Sequence, residues 1–229
     1  MISIIIPTYN EEGNITQLVQ YLKKDSKKNA VEIIVSDGGS TDNTLVAAQD
    51  AGAKAVLSPK KGRATQMNFG SSVSAGSILY FVHADTFPPL SYVSDIINAM
   101  YEGYEIGRYR TKFDGKKFIL KINAFFTRFD WFVCNGGDQT LFITRKLFNK
   151  INGFNDNMHI MEDYDIVKRA KPFGRYKIFS KAALISARKY DTNSWLRVQC
   201  ANSTIVKMYK KGASQEEMIN KYKEMIIYR

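Results

Sequence analysis

Four short stretches carry side chains that could do chemistry. The first is Asp37-Gly38-Gly39-Ser40-Thr41-Asp42, where paired glycines allow a tight turn and close backbone approach to a ligand. The second is His83-Ala84-Asp85, which follows the apolar run Ile78 to Val82. A carboxylate at the end of such a run is well placed to hold a divalent cation against a diphosphate. Its structural alternative is a cap on the turn before Pro88. The third is Lys60-Lys61-Gly62-Arg63, in which Arg63 could neutralise a phosphate bidentately. The fourth is Met161-Glu162-Asp163-Tyr164-Asp165, the densest acidic cluster, standing where the helix dipole favours acids at a helix start. Carboxylates converging with Gly-rich turns and an arginine suit a nucleotide and a metal. Asp37 could accept from a base or a ribose hydroxyl.

The elements that must position these groups follow from pattern. Ile2 to Ile6 and Val31 to Val35 are short, mostly apolar runs, interrupted by Ser3 and Glu32, that read as buried strands. Ile15, Leu18, Val19 and Leu22 recur at helical spacing between them. Leu45, Val46 and Ala48 mark a second helix, closed by Gly52. Ala55 to Leu57, a small-residue helix from about Ala64 to Ala75, and a central parallel strand from Ile78 to Asp85 complete the first half. Strands alternating with helices predict a parallel sheet covered on its faces. Ligands of such sheets bind beyond the carboxyl ends of the strands, which is where the loops at Pro7 to Asn14, Asp37 to Asp42 and His83 to Pro88 fall. No GxxxxGK[ST] is present, and no GxGxxG follows the first strand, so a P-loop and a dinucleotide Rossmann site are both disfavoured.

In the second half, Leu90, Val93, Ile96, Ile97 and Met100 predict an amphipathic helix, and Glu105 to Phe113 a strand. Phe118, Ile119, Ile122, Phe125, Phe126 and Phe129 recur at helical spacing among lysines. The preferred reading packs this aromatic face on the core; the alternative is an interfacial helix on anionic lipid or one wall of a lipid-acceptor groove. Gly136 and Gly137 would let a sugar approach the backbone, with Asp138 and Gln139 as hydroxyl partners; a simple turn fits as well. Two tail helices, around Trp195 to Lys211 and from Gln215, are expected to pack on the body, then to pair with a second subunit as a homodimer, then to lie on a membrane, in that order.

The 229 residues carry a formal charge of +11, which asks for nucleic acid, an anionic membrane or an anionic small substrate. The basic residues are scattered and form no nucleic-acid motif, so no nucleic-acid partner is expected. Ile2 to Ile6 is too short for a secretory core, and no run reaches the ~20 apolar residues of a membrane span. The two cysteines, Cys134 and Cys200, form no CxxC pair and suit free thiols in the cytoplasm.

The stretches Ser3-Ile4-Ile5-Ile6-Pro7-Thr8-Tyr9-Asn10-Glu11 and Glu32 to Asp42, with their spacing to His83-Ala84-Asp85, resemble the opening of a family 2 glycosyltransferase. That resemblance implies the glycosyltransferase A fold: a mostly parallel twisted sheet flanked by helices, with C-terminal helices added. It implies a nucleoside diphosphate sugar as donor and Mg²⁺ or Mn²⁺ as cofactor. Pro7, Thr8, Tyr9, Glu11 and Gly38 would line the nucleotide pocket, and Asp37 would meet the base, usually uracil. Asp85 matches the second aspartate of the family's DxD motif and would ligate the metal; Ala84 holds the middle position. His83 replaces the first aspartate, which implies a differently shaped metal site in which the imidazole ligates manganese or bonds the ribose. Gly62-Arg63-Ala64 with Gln66-Met67-Asn68 is similar to a small bacterial branch of the family made of short soluble proteins.

By the same resemblance Asp163 is the general base, and Glu162 orients it or contacts the acceptor. Arg188 and Lys189 would close over the diphosphate, and Tyr190 could stack on a ring. Polymerising relatives carry a QxxRW motif near here, which this chain lacks. The expectation is therefore one domain over residues 1–229, with a nucleotide half (1–115) and an acceptor half with a helical tail (116–229). It would be an inverting, non-processive, metal-assisted transferase of the cytoplasm, with room at the inner membrane face for peripheral contact and a lipid-linked or small acceptor. Rival readings are a nucleotidyltransferase, disfavoured because the loop Pro7 to Gly13 is acidic, a nucleic-acid-binding module, and a non-catalytic scaffold kept in play by His83.

Overall fold

A computed structural model describes residues 1–24, 31–115, 117–134 and 139–227. The first half alternates as the pattern predicts: β1 (Ile2–Thr8), α1 (Glu12–Lys23), β2 (Val31–Asp37), α2 (Thr44–Asp50), β3 (Lys54–Leu57), α3 (Arg63–Ser72) and β4 (Ile78–Phe81). Then follow β5 (Thr86–Phe87), α4 (Tyr92–Tyr101), β6 (Ile106–Phe113), α5 (Phe118–Phe126), β7 (Leu141–Thr144), α6 (Arg145–Lys150), α7 (Glu162–Ala170) and β8 (Tyr176–Ile185). The helices α8 (Lys189–Thr192), α9 (Trp195–Lys210) and α10 (Gln215–Met225) close the chain.

One eight-stranded sheet runs β3-β2-β1-β4-β7-β6-β8-β5. The strands β3, β2, β1 and β4 are parallel, and β7 runs against β4. β4 is thus central, as expected, but parallel on one side only. It is also shorter than expected. Val82 still donates to Ile5 O, and then Thr86 N–H closes a turn on His83 O at 3.0 Å. The strand therefore ends before His83, ahead of the prolines that were expected to stop it. Only a few residues separate β4 from β5, yet β5 pairs with β8 at the far edge, so the sheet must curl.

Burial explains the pairing of elements. β1, apolar but for Ser3 and Thr8, is covered on both faces. Ile2, Ile4 and Ile6 pack with Ile15, Leu18, Val19 and Leu22 of α1 and with Tyr92, Val93 and Ile96 of α4. Ile5 faces the other way, toward Ala64 and Met67 of α3, Phe148 of α6, and Ile166 and Val167 of α7. Each such side chain contributes about 1.5–3 kcal/mol when fully buried. Leu90, placed on the apolar face of α4 by periodicity, instead precedes the helix and is exposed.

The tail helices α9 and α10 pack together through Ala201, Ile205, Met218 and Tyr222, and onto Met158 and Met161 of the body. The aromatic face of α5 corrects the sequence reading. Leu120 goes into the core and Ile119 packs against the same cluster, while Phe118, Ile122, Phe125 and Phe126 are exposed. Periodicity sets the angle between apolar residues but not which of two apolar faces meets the body. No helix among the described residues is long and apolar enough to cross a membrane.

Candidate functional site

Three loops at the carboxyl ends of β1, β2 and β4 form the floor of the site. The first two are laced together. Asn10 takes a left-handed backbone (φ 54°), which lets its N–H donate to Ser40 Oγ and its Oδ1 accept from Thr41 N–H, each at 2.8 Å. Glu11 N–H donates to Thr44 Oγ1, and Glu12 accepts from Asn43. Asp37 is fully buried and holds its own turn. Its carboxylate accepts from Thr8 Oγ1 at 2.9 Å, from the Gly39 and Ser40 amides, and from Ser40 Oγ at 2.5 Å. Gly39 supplies the positive φ of 86° that this turn requires. A base reaches the Asp37 carboxylate only if Ser40 gives way.

Gln66 pins the same corner from α3. Its Nε2 donates to Thr8 O at 2.6 Å and to Ser36 O at 2.9 Å. Sequence reasoning treated Gln66 as a family marker and missed this role; a glutamine buried with Ala64, Met67 and Gly70 on α3 was the available signal. Pro7 and Thr8 are buried in the floor, and Tyr9 is exposed at its rim with Lys61 Nζ 3.5 Å from its ring centroid. Gly38 packs against the Gln66 side chain.

His83 and Ala84 are buried, whereas Asp85 is partly open. Asp85 is bridged to the second half. Ser186 N–H donates to Asp85 O at 3.2 Å beside the short β5–β8 ladder, which brings Arg188 over the site. Arg188 Nη2 then lies 3.1 Å from Asp85 Oδ2 and 2.6 Å from Glu11 Oε1, and Nη1 lies 3.2 Å from Glu11 Oε2. Two carboxylates from different loops thus converge on one cationic position. Hard carboxylate oxygens facing a common point are the donors that Mg²⁺ or Mn²⁺ prefers, so Asp85 and Glu11 fit such an ion. Among the described residues no group of three or more His, Cys, Asp or Glu could enclose an ion. Further oxygens would have to come from a diphosphate.

The wall opposite is built by α7. Met161 takes a left-handed conformation (φ 70°) that starts the helix and turns Glu162 inward. Glu162 is buried and makes an ion pair with Arg63 Nε, at the start of α3. Gly62, just before it, has His159 Nδ1 within 4 Å of where its Cβ would stand, so His159 belongs to this wall. Asp163 is half-buried beside Tyr164. Burial pushes the Tyr164 hydroxyl up to about 12, and the Asp163 charge adds to that shift, so the phenol stays protonated there. Asp165 pairs with Arg169 one turn on and is only partly exposed.

Gln139 is buried with Nε2 donating to Cys134 O at 2.9 Å. Gly136, Gly137 and Asp138, expected to meet acceptor or sugar, lie outside the described residues. Tyr190 does not offer its face to a ligand ring. It is buried edge-on against Phe113, and Asn123 donates to its hydroxyl.

The model of glycosyl transferase family 2 matches residues 3–162, which spans all these loops and ends on the buried acid of α7. The chain belongs to glycosyl transferase family 2. Its curled mixed sheet flanked by helices is the glycosyltransferase A fold. Among curated relatives, the glucosyl-3-phosphoglycerate synthase of Mycolicibacterium smegmatis is 31% identical over 96 residues, 38% of this chain and 32% of that protein. The matched stretch is thus about a third of that relative's length.

Two solved structures share the fold. Staphylococcus aureus TarS 1–349 in complex with UDP-GlcNAc has a TM-score of 0.69 at 20% identity, covering 82% of this chain and 58% of that one. The glucosyl-3-phosphoglycerate synthase of Mycobacterium tuberculosis with Mg²⁺ and UDP has a TM-score of 0.65 at 16% identity, covering 93% of this chain and 80% of that one.

Proposed function

We propose that this family 2 chain transfers a sugar from a nucleoside diphosphate donor, a UDP-sugar first among them, to an acceptor hydroxyl in a single inverting, non-processive displacement. The observation that carries this reading is the convergence of Asp85 and Glu11 on one cationic position at the carboxyl edge of the sheet. It is supported by the UDP and UDP-sugar complexes of the two neighbours above and by the Mg²⁺ in one of them. The donor would lie across the loops of β1, β2 and β4, with Thr8, Tyr9, Asp37 and Gly38 shaping the base and ribose end.

Asp163 would take the proton from the acceptor hydroxyl. That oxygen attacks the anomeric carbon as the bond to the diphosphate oxygen breaks, and the electron pair leaves with the nucleoside diphosphate. Arg63, aligned by Glu162, and Arg188, released from the two carboxylates, would bind the departing charge. Asp85 and Glu11 would hold the divalent ion, which when bound supplies a Lewis acid at the diphosphate. Gln139 and the stretch Gly136 to Asp138 are assigned to the sugar and acceptor side. The reaction would take place in the cytoplasm.

Calorimetric titration with UDP, GDP and other nucleoside diphosphates, each with and without Mn²⁺, tests this. Metal-dependent UDP binding is expected, weakened at least about tenfold, or 1.4 kcal/mol, in Asp85→Asn. Failure of every nucleoside diphosphate to bind under either condition overturns the reading in favour of a scaffold.

A further inference from the structure

The solvent side of α5 is apolar. Phe118, Ile122, Phe125 and Phe126 recur at helical spacing and all are exposed, Phe118 at 72%. The body takes the other side, where Leu120 is buried with Ala187, Tyr190 and Val198. A helix apolar on both faces belongs between a core and a second apolar medium, not between a core and water. The strip continues beyond the helix. Phe129 stacks on Trp131 with centroids 4.6 Å apart, Phe126 lies 6.3 Å from the same indole, and Trp131 is 53% exposed. At about 200 Å² for a whole aromatic residue, the strip presents roughly 500 Å² of apolar surface. That is the upper end for a monomer and the size at which patches are functional.

The strip is anchored. Arg108 is buried beneath it, with Nη1 donating to Thr127 O at 2.7 Å and Nη2 to Phe129 O at 3.2 Å. Thr127 Oγ1 accepts from Thr111 N–H at 2.9 Å. An arginine spent on the carbonyls at the end of α5 holds the aromatic face outward in one position.

Charge selects the occupant. Arg128 lies 3.9 Å from the Phe125 ring centroid and Lys121 5.9 Å from that of Phe118, so cations flank the aromatics. The neighbouring acid, Asp130, is neutralised by Lys171. A second copy of the chain would bring the same basic strip and the same +11 charge against it. Phe and Trp interleaved with Lys and Arg are what a helix lying in an anionic lipid interface requires.

We propose that α5 and the adjoining segment to Trp131 dock this chain on an anionic membrane surface. The site adjoins the docked face. Lys117 Nζ donates to Tyr190 O at 2.5 Å and Asn123 Nδ2 to Tyr190 Oη at 3.2 Å, two residues from Arg188. The corollary, an acceptor carried by the bilayer, rests on the transferase reading; the docking itself does not.

The test is flotation of the full chain, without nucleotide, on vesicles of phosphatidylglycerol and phosphatidylcholine in equal parts and on vesicles of phosphatidylcholine alone. Binding to the anionic vesicles is expected, with a partition coefficient about tenfold lower or less on neutral ones. Phe118→Ser, Phe125→Ser and Trp131→Ser combined should lower it about tenfold at an unchanged melting temperature. Lys121→Glu with Arg128→Glu should remove the preference for anionic lipid. Absence of binding, or equal binding by the triple variant, overturns the proposal. So does a wild-type dimer that the triple variant converts to monomer, since the face would then cover itself. UDP titration without vesicles reports separately on the transferase reading.

Discussion

Removing the guanidinium in Arg63→Ala leaves the Glu162 carboxylate buried without the cation that it touches. Breaking a fully buried pair from one side costs about 3–5 kcal/mol. The Glu162 side chain is 1% exposed, but that of Arg63 is 35% exposed, so water can approach from the arginine side. With that screening the expected loss is about 2 kcal/mol at pH 7. Urea denaturation measures it, and a cycle with Glu162→Gln isolates it. The neutral amide needs no counter-charge, so Glu162→Gln alone should cost less than Arg63→Ala. The double variant should be more stable than the sum of the singles by about 1–2 kcal/mol. UDP affinity should fall in both singles, because Glu162→Gln leaves Arg63 present but no longer aligned. A loss below about 0.5 kcal/mol for Arg63→Ala, or additive effects in the cycle, refutes the claim that these two residues act as a unit.

Gly38→Ala should weaken UDP binding about tenfold and lower stability by about 1–3 kcal/mol, the cost of pulling a buried amide off its partners. Its Cβ would stand 2.9 Å from the Gln66 amide, which must then leave the Thr8 and Ser36 carbonyls; unchanged calorimetric affinity would contradict the pinning role. Glu32 supplies a pH-dependent link at the opposite end of the sheet. Burial opposes its charge, but the Ser3 hydroxyl, the Ala75 and Gly76 amides and Lys54 together outweigh burial and hold its carboxyl below the usual glutamate value. A depressed folded pKa means that this stabilisation is complete above the unfolded pKa and is lost as pH falls through the folded one. Glu32→Gln should therefore cost about 1–2 kcal/mol at pH 7, with the gap to wild type closing in acid. A gap still constant at about pH 3 would contradict the sign.

The floor of the site was legible because it is local. In each of β1, β2 and β4 a short apolar run ends in a loop, and the residues that shape the loop sit within a few positions of the strand end. Asp37 with Gly39, and Asp85 after His83, needed no distant information. The walls are a different matter. Arg63 meets Glu162, and Arg188 meets Glu11, across separations that only the sheet order sets. The sequence offered each of these residues, and the general roles of Arg63 and Arg188, without saying which acid each would face. The aromatic helix shows a further limit. Its spacing pointed to the core, but Leu120 and Ile119 satisfied the core and left Phe118, Phe125 and Phe126 outside. Arg108, on a strand pattern with Arg110, gave no sign that it would be buried as the anchor of that helix.

The ladder between β5 and β8 is only two residues long, yet it works as a seam. On one side of it lies the carboxylate offered to the ion, and on the other the arginine that covers it. A fragment ending near residue 115 would keep every loop of the floor and still lose both the ladder partner of Thr86 and the guanidinium over Asp85. Trading the tail helices α8 to α10 between relatives, with the join after residue 188, should therefore leave donor binding intact. Joins placed earlier should disturb donor binding, even though no residue of the floor has changed.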